Sequence, residues 1–459
     1  MESLTTKEKI TKKELFSYFG YGMGQCISFG LVGTFILFFY TDILGISAAA
    51  ASMIFLIART WDAVNDPIMA SFMDTLNSKR GKFRPYLLYM PFFITAITIV
   101  LFLPLDLDPT AKIIFAGVTY ILWGMIYTVS DVPFWSMSAV MSQDSQERTK
   151  LVTFANLGVF VGIGIPTLLF APLAGFLGQG NLEKGYLYAA IVLMLIGLPF
   201  MLNGYKNTKE RVKPPKTKVK LSDAVQAIKS NKPMFAVLAT FFCNIFIMIT
   251  LALNIYFFTY NLGNAALITI FGAISLLSCV GFFFIPTLAK RFKKKHILMT
   301  VVAIDVIARI LWFSVGYSST VVTFVFITIT MLLYTATGPL ISSMLVETIE
   351  YSELKTGKRN EAVTFSGQTF TGKLSIAIAG GLTGLILTVI GYVPNQQQSP
   401  ETLQALFFVI CLLPALGSLI RFGIMYFYTF TEDRYAEVIE ELQNRRLNEQ
   451  HHEKTEVAG

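Results

Sequence analysis

Charge is the scarcest property of this chain. Of its 459 residues only 14% are Asp, Glu, Lys or Arg and 54% are hydrophobic, against about 25% charged in an average soluble domain. With a mean hydropathy of +0.59, this excludes an ordinary soluble domain and predicts a polytopic membrane protein. Histidine is almost absent: His296 falls in a loop, and His451 and His452 fall in the tail. With no metal motif and no nucleophile elbow either, a membrane-embedded enzyme has little to work with. The four cysteines, Cys26, Cys243, Cys279 and Cys411, stand far apart inside apolar segments. They read as reduced packing residues, without disulfide or metal-ligand spacing.

What the chain has in quantity is apolar runs. Spans of about 20 residues start near residues 15, 46, 84, 111, 150, 184, 233, 265, 297, 320, 360 and 402. The fold class expected is all-α, with twelve transmembrane helices in two pseudo-symmetric six-helix bundles. The first apolar segment lacks a small-residue cleavage site and is read as a retained helix.

The net charge of +8 would suit an acidic partner such as nucleic acid if it were clustered on one domain. It follows the membrane instead. Basic residues crowd the N-terminus (Lys7, Lys9, Lys12, Lys13) and alternate connections: Lys79 to Arg84, Arg148 and Lys150, Lys206 to Lys232, Lys290 to Lys295, and Lys355 to Arg359. By the positive-inside rule both termini are cytoplasmic. The expected partners are membrane lipids and a small solute, with no nucleic acid and no second subunit.

The domain expectation is a first bundle over residues 1–205, a linker over 206–232, a second bundle over 233–430 and a cytoplasmic tail over 431–459. In the linker, after Pro214-Pro215, Leu221, Val225 and Ile228 recur at helical spacing. They suggest a short amphipathic helix on the membrane surface, or less readily a partner-binding helix. A short helix is expected in the tail around Val438 to Leu442. Lys79 and Lys290, like Arg148 and Arg359, stand 211 positions apart with matching neighbours. Two matches at one offset argue for duplicated halves, the arrangement of carriers that rock two bundles about a central site.

Three constellations carry chemistry. In the second segment Asp62, Asn65 and Asp66 fall at i, i+3 and i+4 and share one helix face. Each carboxylate at mid-membrane costs about 2.5–3.5 kcal/mol, so this face predicts a cation site. The offset of 211 takes Asp62 to Ala273 and Asp66 to Leu277, which leaves these ligands to the first half alone. In the fourth segment Tyr127, Asp131 and Trp135 are spaced by four. An acid between a phenol and an indole suits a sugar, which stacks its apolar face on the indole and donates hydroxyls to the carboxylate. An interfacial aromatic belt with a structural acid is the alternative. In the eleventh segment Lys373 lies too deep for easy snorkelling and calls for an anionic partner. Because Arg59 precedes Asp62 by one turn, a purely structural ion-pair cluster is the competing reading. Glu347, Glu350 and Glu353, near Lys355 to Arg359, are expected to form salt bridges between the halves.

Taken together, Trp61-Asp62-Ala63-Val64-Asn65-Asp66-Pro67-Ile68-Met69, Gly81-Lys82-Phe83-Arg84-Pro85-Tyr86, Tyr127 to Trp135, Glu350-Tyr351 and Gly391-Tyr392-Val393-Pro394-Asn395 resemble the glycoside-pentoside-hexuronide:cation symporter family, the melibiose-permease-like group of the major facilitator fold. The resemblance implies that Asp62, Asn65, Asp66 and Thr128 bind the coupling cation. It also implies that Tyr127, Asp131, Trp135 and Thr369 line the sugar site, and that Lys373, with Arg59 nearby, links the two. Three departures from melibiose permease matter, and Ala70 in place of a glycine is a smaller one. Cys26 replaces a sugar-binding aspartate and Gln25 a lysine; Asn156 replaces an arginine and Gly338 a tryptophan.

The function expected from the resemblance is symport of a glycoside or oligosaccharide by alternating access in a bacterial cell membrane. No cofactor is expected besides the coupling ion, sodium before proton: Asp62, Asn65, Asp66 and Thr128 offer more oxygen ligands than a proton requires. The alternatives are an uncoupled facilitator and a carrier of an anionic sugar such as a hexuronide or of a lipid-like solute. The retained Asp131 favours a neutral glycoside, since a lone buried carboxylate repels an anion.

Overall fold

In the computed structural model residues 9–75, 81–142, 145–211, 231–357 and 361–457 are described. Thirteen helices follow in order among them. They are α1 (Lys12–Phe38, extended by a π turn Phe39–Ile43), α2 (Ala48–Thr75), α3 (Arg84–Leu101), α4 (Pro109–Met141), α5 (Ser145–Gly178) and α6 (Leu182–Asn207). Then come α7 (Lys232–Phe242 and Asn244–Tyr256, with a π turn Phe257–Asn261), α8 (Leu267–Leu277 and Gly281–Ala289, joined by a 3-10 turn), α9 (Lys294–Val315), α10 (Thr320–Thr356), α11 (Glu361–Val389), α12 (Pro400–Tyr426) and α13 (Glu432–Val457). The first twelve match the twelve apolar runs. Ten are long and apolar enough to cross a membrane by length and composition. The remaining two are α2, with its charged face, and the interrupted α8.

Local sequence sets the helix ends. Thr11 and Glu14 form a capping box at α1, and Asp108 accepts from the Thr110 and Ala111 amides just before Pro109 at α4. The carboxylate of Glu210 caps α3, accepting from the backbone amides of Lys82 (2.9 Å), Phe83 (2.7 Å) and Arg84 (2.9 Å). Glu432 caps α9 in the same way, through the Lys294 amide at 2.7 Å.

Duplication also shows in backbone shape. The starts of α4 and α10, Pro109 and Thr320, are themselves 211 positions apart. α1 and α7 both end in a π turn that opens on Phe, Phe39 and Phe257, and each turn is followed by Leu-Gly with the glycine at positive φ, Gly45 and Gly263.

The chain folds as two compact units, one of residues 1–216, 251–276 and 380–406, the other of 217–250, 277–379 and 407–459. In the first, α5 crosses α1 at glycine distance. A β-carbon on Gly158 would lie 2.2 Å from the Phe19 carbonyl oxygen, and one on Gly162 would lie 2.4 Å from that of Met23 and 2.8 Å from the Cys26 β-carbon. Only glycine admits this approach. In the second unit, Met234, Leu298, Leu340, Leu345 and Met425 build a core that Val438 and Leu442 of α13 join.

Two expectations need correction. The tail helix is not confined to Val438 to Leu442: α13 runs over Glu432–Val457, because the flanking Glu, Gln and Arg are good helix formers. Glu347 pairs with Lys294 of α9, in its own unit, so this described pair lies within one half; Lys358 and Arg359 lie outside the described residues. The linker helix around Leu221 to Ile228 lies outside the described residues.

Candidate functional site

The site is built on α4, which presents adjacent faces to α1 and α2. On the α1 side Gln25 is fully buried. Its Nε2 donates to Asp131 Oδ1 at 2.8 Å, while its Oε1 accepts from Ser130 Oγ at 2.8 Å. An amide has both a donor and an acceptor end, so Gln25 holds the carboxylate and its neighbouring hydroxyl at once. Ser130 Oγ lies 3.4 Å from the Tyr21 hydroxyl. One turn away, Cys26 Sγ is 3.6 Å from the Tyr127 hydroxyl.

Aromatic rings frame this pair. Tyr127 packs on Phe29 and Trp123, with centroids 5.4 and 5.3 Å away. Trp123 is anchored by donating to Ser28 Oγ at 2.9 Å, and Ser28 in turn meets Thr98 at 2.6 Å. Trp135 is half-buried and packs edge-on against Phe134, whose carbonyl accepts from Tyr18 at 2.5 Å. Together these contacts leave a half-buried carboxylate at Asp131 between two half-buried aromatic faces, Tyr127 and Trp135. Such a set can accept sugar hydroxyls and stack a pyranose ring.

On the α2 side, Asp62 reaches the α4 backbone at Gly124. An ideal β-carbon there would lie 2.9 Å from Asp62 Oδ1, so the missing side chain makes room for the carboxylate. Thr128, one turn along α4 from Gly124, is buried, as is Asn65 at 1% exposure. The Asn65 Nδ2 has no hydrogen-bond partner among the described residues. Carboxylate, amide and hydroxyl oxygens from two helices thus occupy neighbouring turns, a donor set that suits a hard monovalent cation.

The side chains of Arg59, Asp66 and Thr369 lie outside the described residues. Asn156 on α5 is exposed and donates to the Val152 carbonyl of its own helix at 2.8 Å. Lys373 lies on α11 in the second unit, with an exposed side chain.

Sequence reasoning passed over three features. The first is Gly124, visible only through its contact. The second is Asp42, at the end of α1, which accepts from Tyr392 at 2.5 Å, from Thr41 at 2.6 Å and from Tyr260; the Asn395 amide donates to the Asp42 carbonyl at 2.6 Å. The motif Gly391 to Asn395 is therefore a clasp on Asp42. Burial and the Asp42 carboxylate push the Tyr392 phenol far above its usual pKa, so it stays a donor. The third is a buried set of charges in the second unit, Asp305, Arg309 and Arg421. A lone charge in an apolar run was the available signal.

Comparison with known proteins identifies the family. The family model described as "MFS/sugar transport protein" matches residues 18–432. The chain is 33% identical to the "Uncharacterized symporter YjmB" of Bacillus subtilis over 96% of its length and 98% of that protein. It is 30% identical to the isoprimeverose transporter of Lactiplantibacillus pentosus, over 90% and 88%, and 30% identical to a putative 2,3-dihydroxypropane-1-sulfonate exporter of Escherichia coli, over 97% and 99%. Among solved structures, a D-xylose-proton symporter shares the fold at TM-score 0.62 and 14% identity, over 89% of this chain and 96% of that one.

Proposed function

Because the chain belongs to the MFS/sugar transport protein family, multi-pass membrane transporters of the glycoside-pentoside-hexuronide:cation symporter kind, we propose that it couples inward movement of a monovalent cation, sodium before proton, to uptake of a neutral glycoside. The observation that supports this best is the double use of α4. Gln25, Cys26, Tyr127 and Asp131 gather on its α1 side, and Asp62 meets Gly124 on its α2 side, one turn from Thr128. An ion drawn to Asp62, Asn65 and Thr128 acts on the helix that carries the sugar ligands. Sugar and ion then favour the same state of the carrier, and each raises the affinity for the other.

The driving force suffices for accumulation. One positive charge moving down 100 mV supplies about 2.3 kcal/mol, roughly fiftyfold at equilibrium. The basic connections support cytoplasmic termini by the positive-inside rule, and the bacterial relatives support a bacterial membrane. The lipid bilayer is the one further partner proposed, with the single chain as the working unit.

A second reading has one observation in its favour: the similarity to a putative sulfonate exporter keeps an anionic solute in play. Against it, Asp131 brings a negative charge to the sugar face and Gln25 beside it is a neutral donor. Counterflow of a radiolabelled methyl glycoside into proteoliposomes, with and without an inward sodium gradient, tests the proposal. Sodium-stimulated counterflow supports it. Counterflow of a glucuronide but of no neutral glycoside would turn it to the anionic reading.

A further inference from the structure

The second unit holds a cavity of about 20 Å³ lined from four helices, α7, α9, α10 and α12. Three of its lining residues are charged and buried: Asp305 at 6% exposure, Arg309 at 2% and Arg421 at 4%. Arg309 Nε donates to both Asp305 oxygens, at 2.9 and 3.0 Å, and Ser418 Oγ donates to the same carboxylate at 2.6 Å. This leaves Asp305 well satisfied by one guanidinium and one hydroxyl.

Arg421 is placed differently. Its Nε donates to the Thr240 carbonyl at 3.2 Å and its Nη2 to Asn244 Oδ1 at 2.5 Å. Both acceptors are neutral. The cavity therefore has two guanidinium groups and one carboxylate among its lining residues, a net charge of +1 inside an apolar bundle. Arg309 donates only through its Nε among the described residues, which leaves its two Nη atoms without an acceptor there, Arg421 has the neutral Cys243 thiol as a further neighbour, and Arg309, Arg421, Cys243 and Tyr334 all line the cavity. A buried charge without a counter-charge costs several kcal/mol, and unused donors on an arginine add to that cost.

We propose that this cavity is a binding site for one small monovalent inorganic anion of chloride size. The charge requires one negative ion, the free N–H groups supply its ligands, and the volume admits one water-sized species. Gly417 helps to make the room, since a β-carbon there would strike the Phe246 ring at 2.7 Å. Bulkier anions such as gluconate are excluded by size. The site lies wholly within the second unit and shares no lining residue with the sugar and cation ligands on α1, α2 and α4.

The test is thermal unfolding of the purified full-length protein in detergent, with sodium held constant and chloride exchanged for gluconate. The expected result is a saturable rise in melting temperature with chloride, reproduced by bromide. Arg421→Gln should abolish the rise. Asp305→Asn, which removes the only carboxylate among the lining residues, should lower the chloride concentration needed for half of the effect by at least tenfold. Crystals grown in bromide should show an anomalous peak between Arg309 and Arg421. Equal melting temperatures in chloride and gluconate overturn the proposal, as does an undiminished chloride effect in Arg421→Gln. Should the variants fail to fold, the titration of the unaltered protein and the bromide peak decide on their own, and absence of both is a refutation.

Discussion

Gln25 Nε2 lies 2.8 Å from Asp131 Oδ1, and the same amide accepts from Ser130. A neutral side chain thus holds the acid of the sugar face in place and leaves its charge intact. Asp131→Asn should keep the geometry and lose the charge-assisted hydrogen bonds to sugar hydroxyls, worth about 1.5–3 kcal/mol each. Glycoside affinity is expected to fall at least tenfold while the melting temperature changes little, and Trp135→Ala should act alike through lost stacking. Isothermal titration of both variants checks this, and unchanged affinity in either would show that this face of α4 does not meet the sugar.

Cys26 is buried against Tyr127. In a variant lacking Cys243, Cys279 and Cys411, alkylation of Cys26 by N-ethylmaleimide should be slow, and slower again with saturating glycoside. Equal rates with and without sugar would remove Cys26 from the sugar site.

Gly124 leaves the space that the Asp62 carboxylate occupies. In Gly124→Ala the new methyl pushes that carboxylate aside, because the end of a side chain moves more easily than α4. The expected outcome is a several-fold weaker sodium effect on glycoside binding, with sodium-free binding preserved. Loss of sugar binding at all sodium concentrations would mean that Gly124 serves packing alone.

The clasp on Asp42 and the cap on α3 make claims about stability. Tyr392→Phe removes one donor from a buried carboxylate and should cost about 1–3 kcal/mol, whereas Asp42→Asn keeps an acceptor and should cost less. Glu210→Ala strips three backbone amides at the start of α3 of their acceptor, for a loss of about 1–2 kcal/mol. Differential scanning fluorimetry ranks the four proteins. Hydrogen exchange over residues 390–399 should quicken in Tyr392→Phe and stay unchanged in Glu210→Ala.

The sequence made some of this legible and hid the rest, for physical reasons. Apolar runs of membrane length read directly as α1 to α12, since lipid leaves the backbone no choice but helix. Asp62 and Asp131 stood out because an acid inside such a run needs an explanation. The same logic could have found Asp305 and Arg309, an i, i+4 pair within α9, but they lay outside the recognised motifs. Asp42 and Tyr392 are 350 positions apart, and no periodicity along the chain joins them. The role of Gly124 was equally hidden, because its significance lies in the carboxylate that fills its space.

The account rests on one coupling, between a cation at Asp62, Asn65 and Thr128 and a sugar at Asp131. The most direct measurement is the glycoside dissociation constant of the unaltered protein, titrated against sodium at fixed neutral pH, with potassium keeping the ionic strength constant. The account predicts that affinity rises saturably with sodium and that Asp62→Asn abolishes the rise while retaining sodium-free binding. A dissociation constant independent of sodium across neutral pH would contradict it, and a constant that moved with pH alone would replace sodium by a proton.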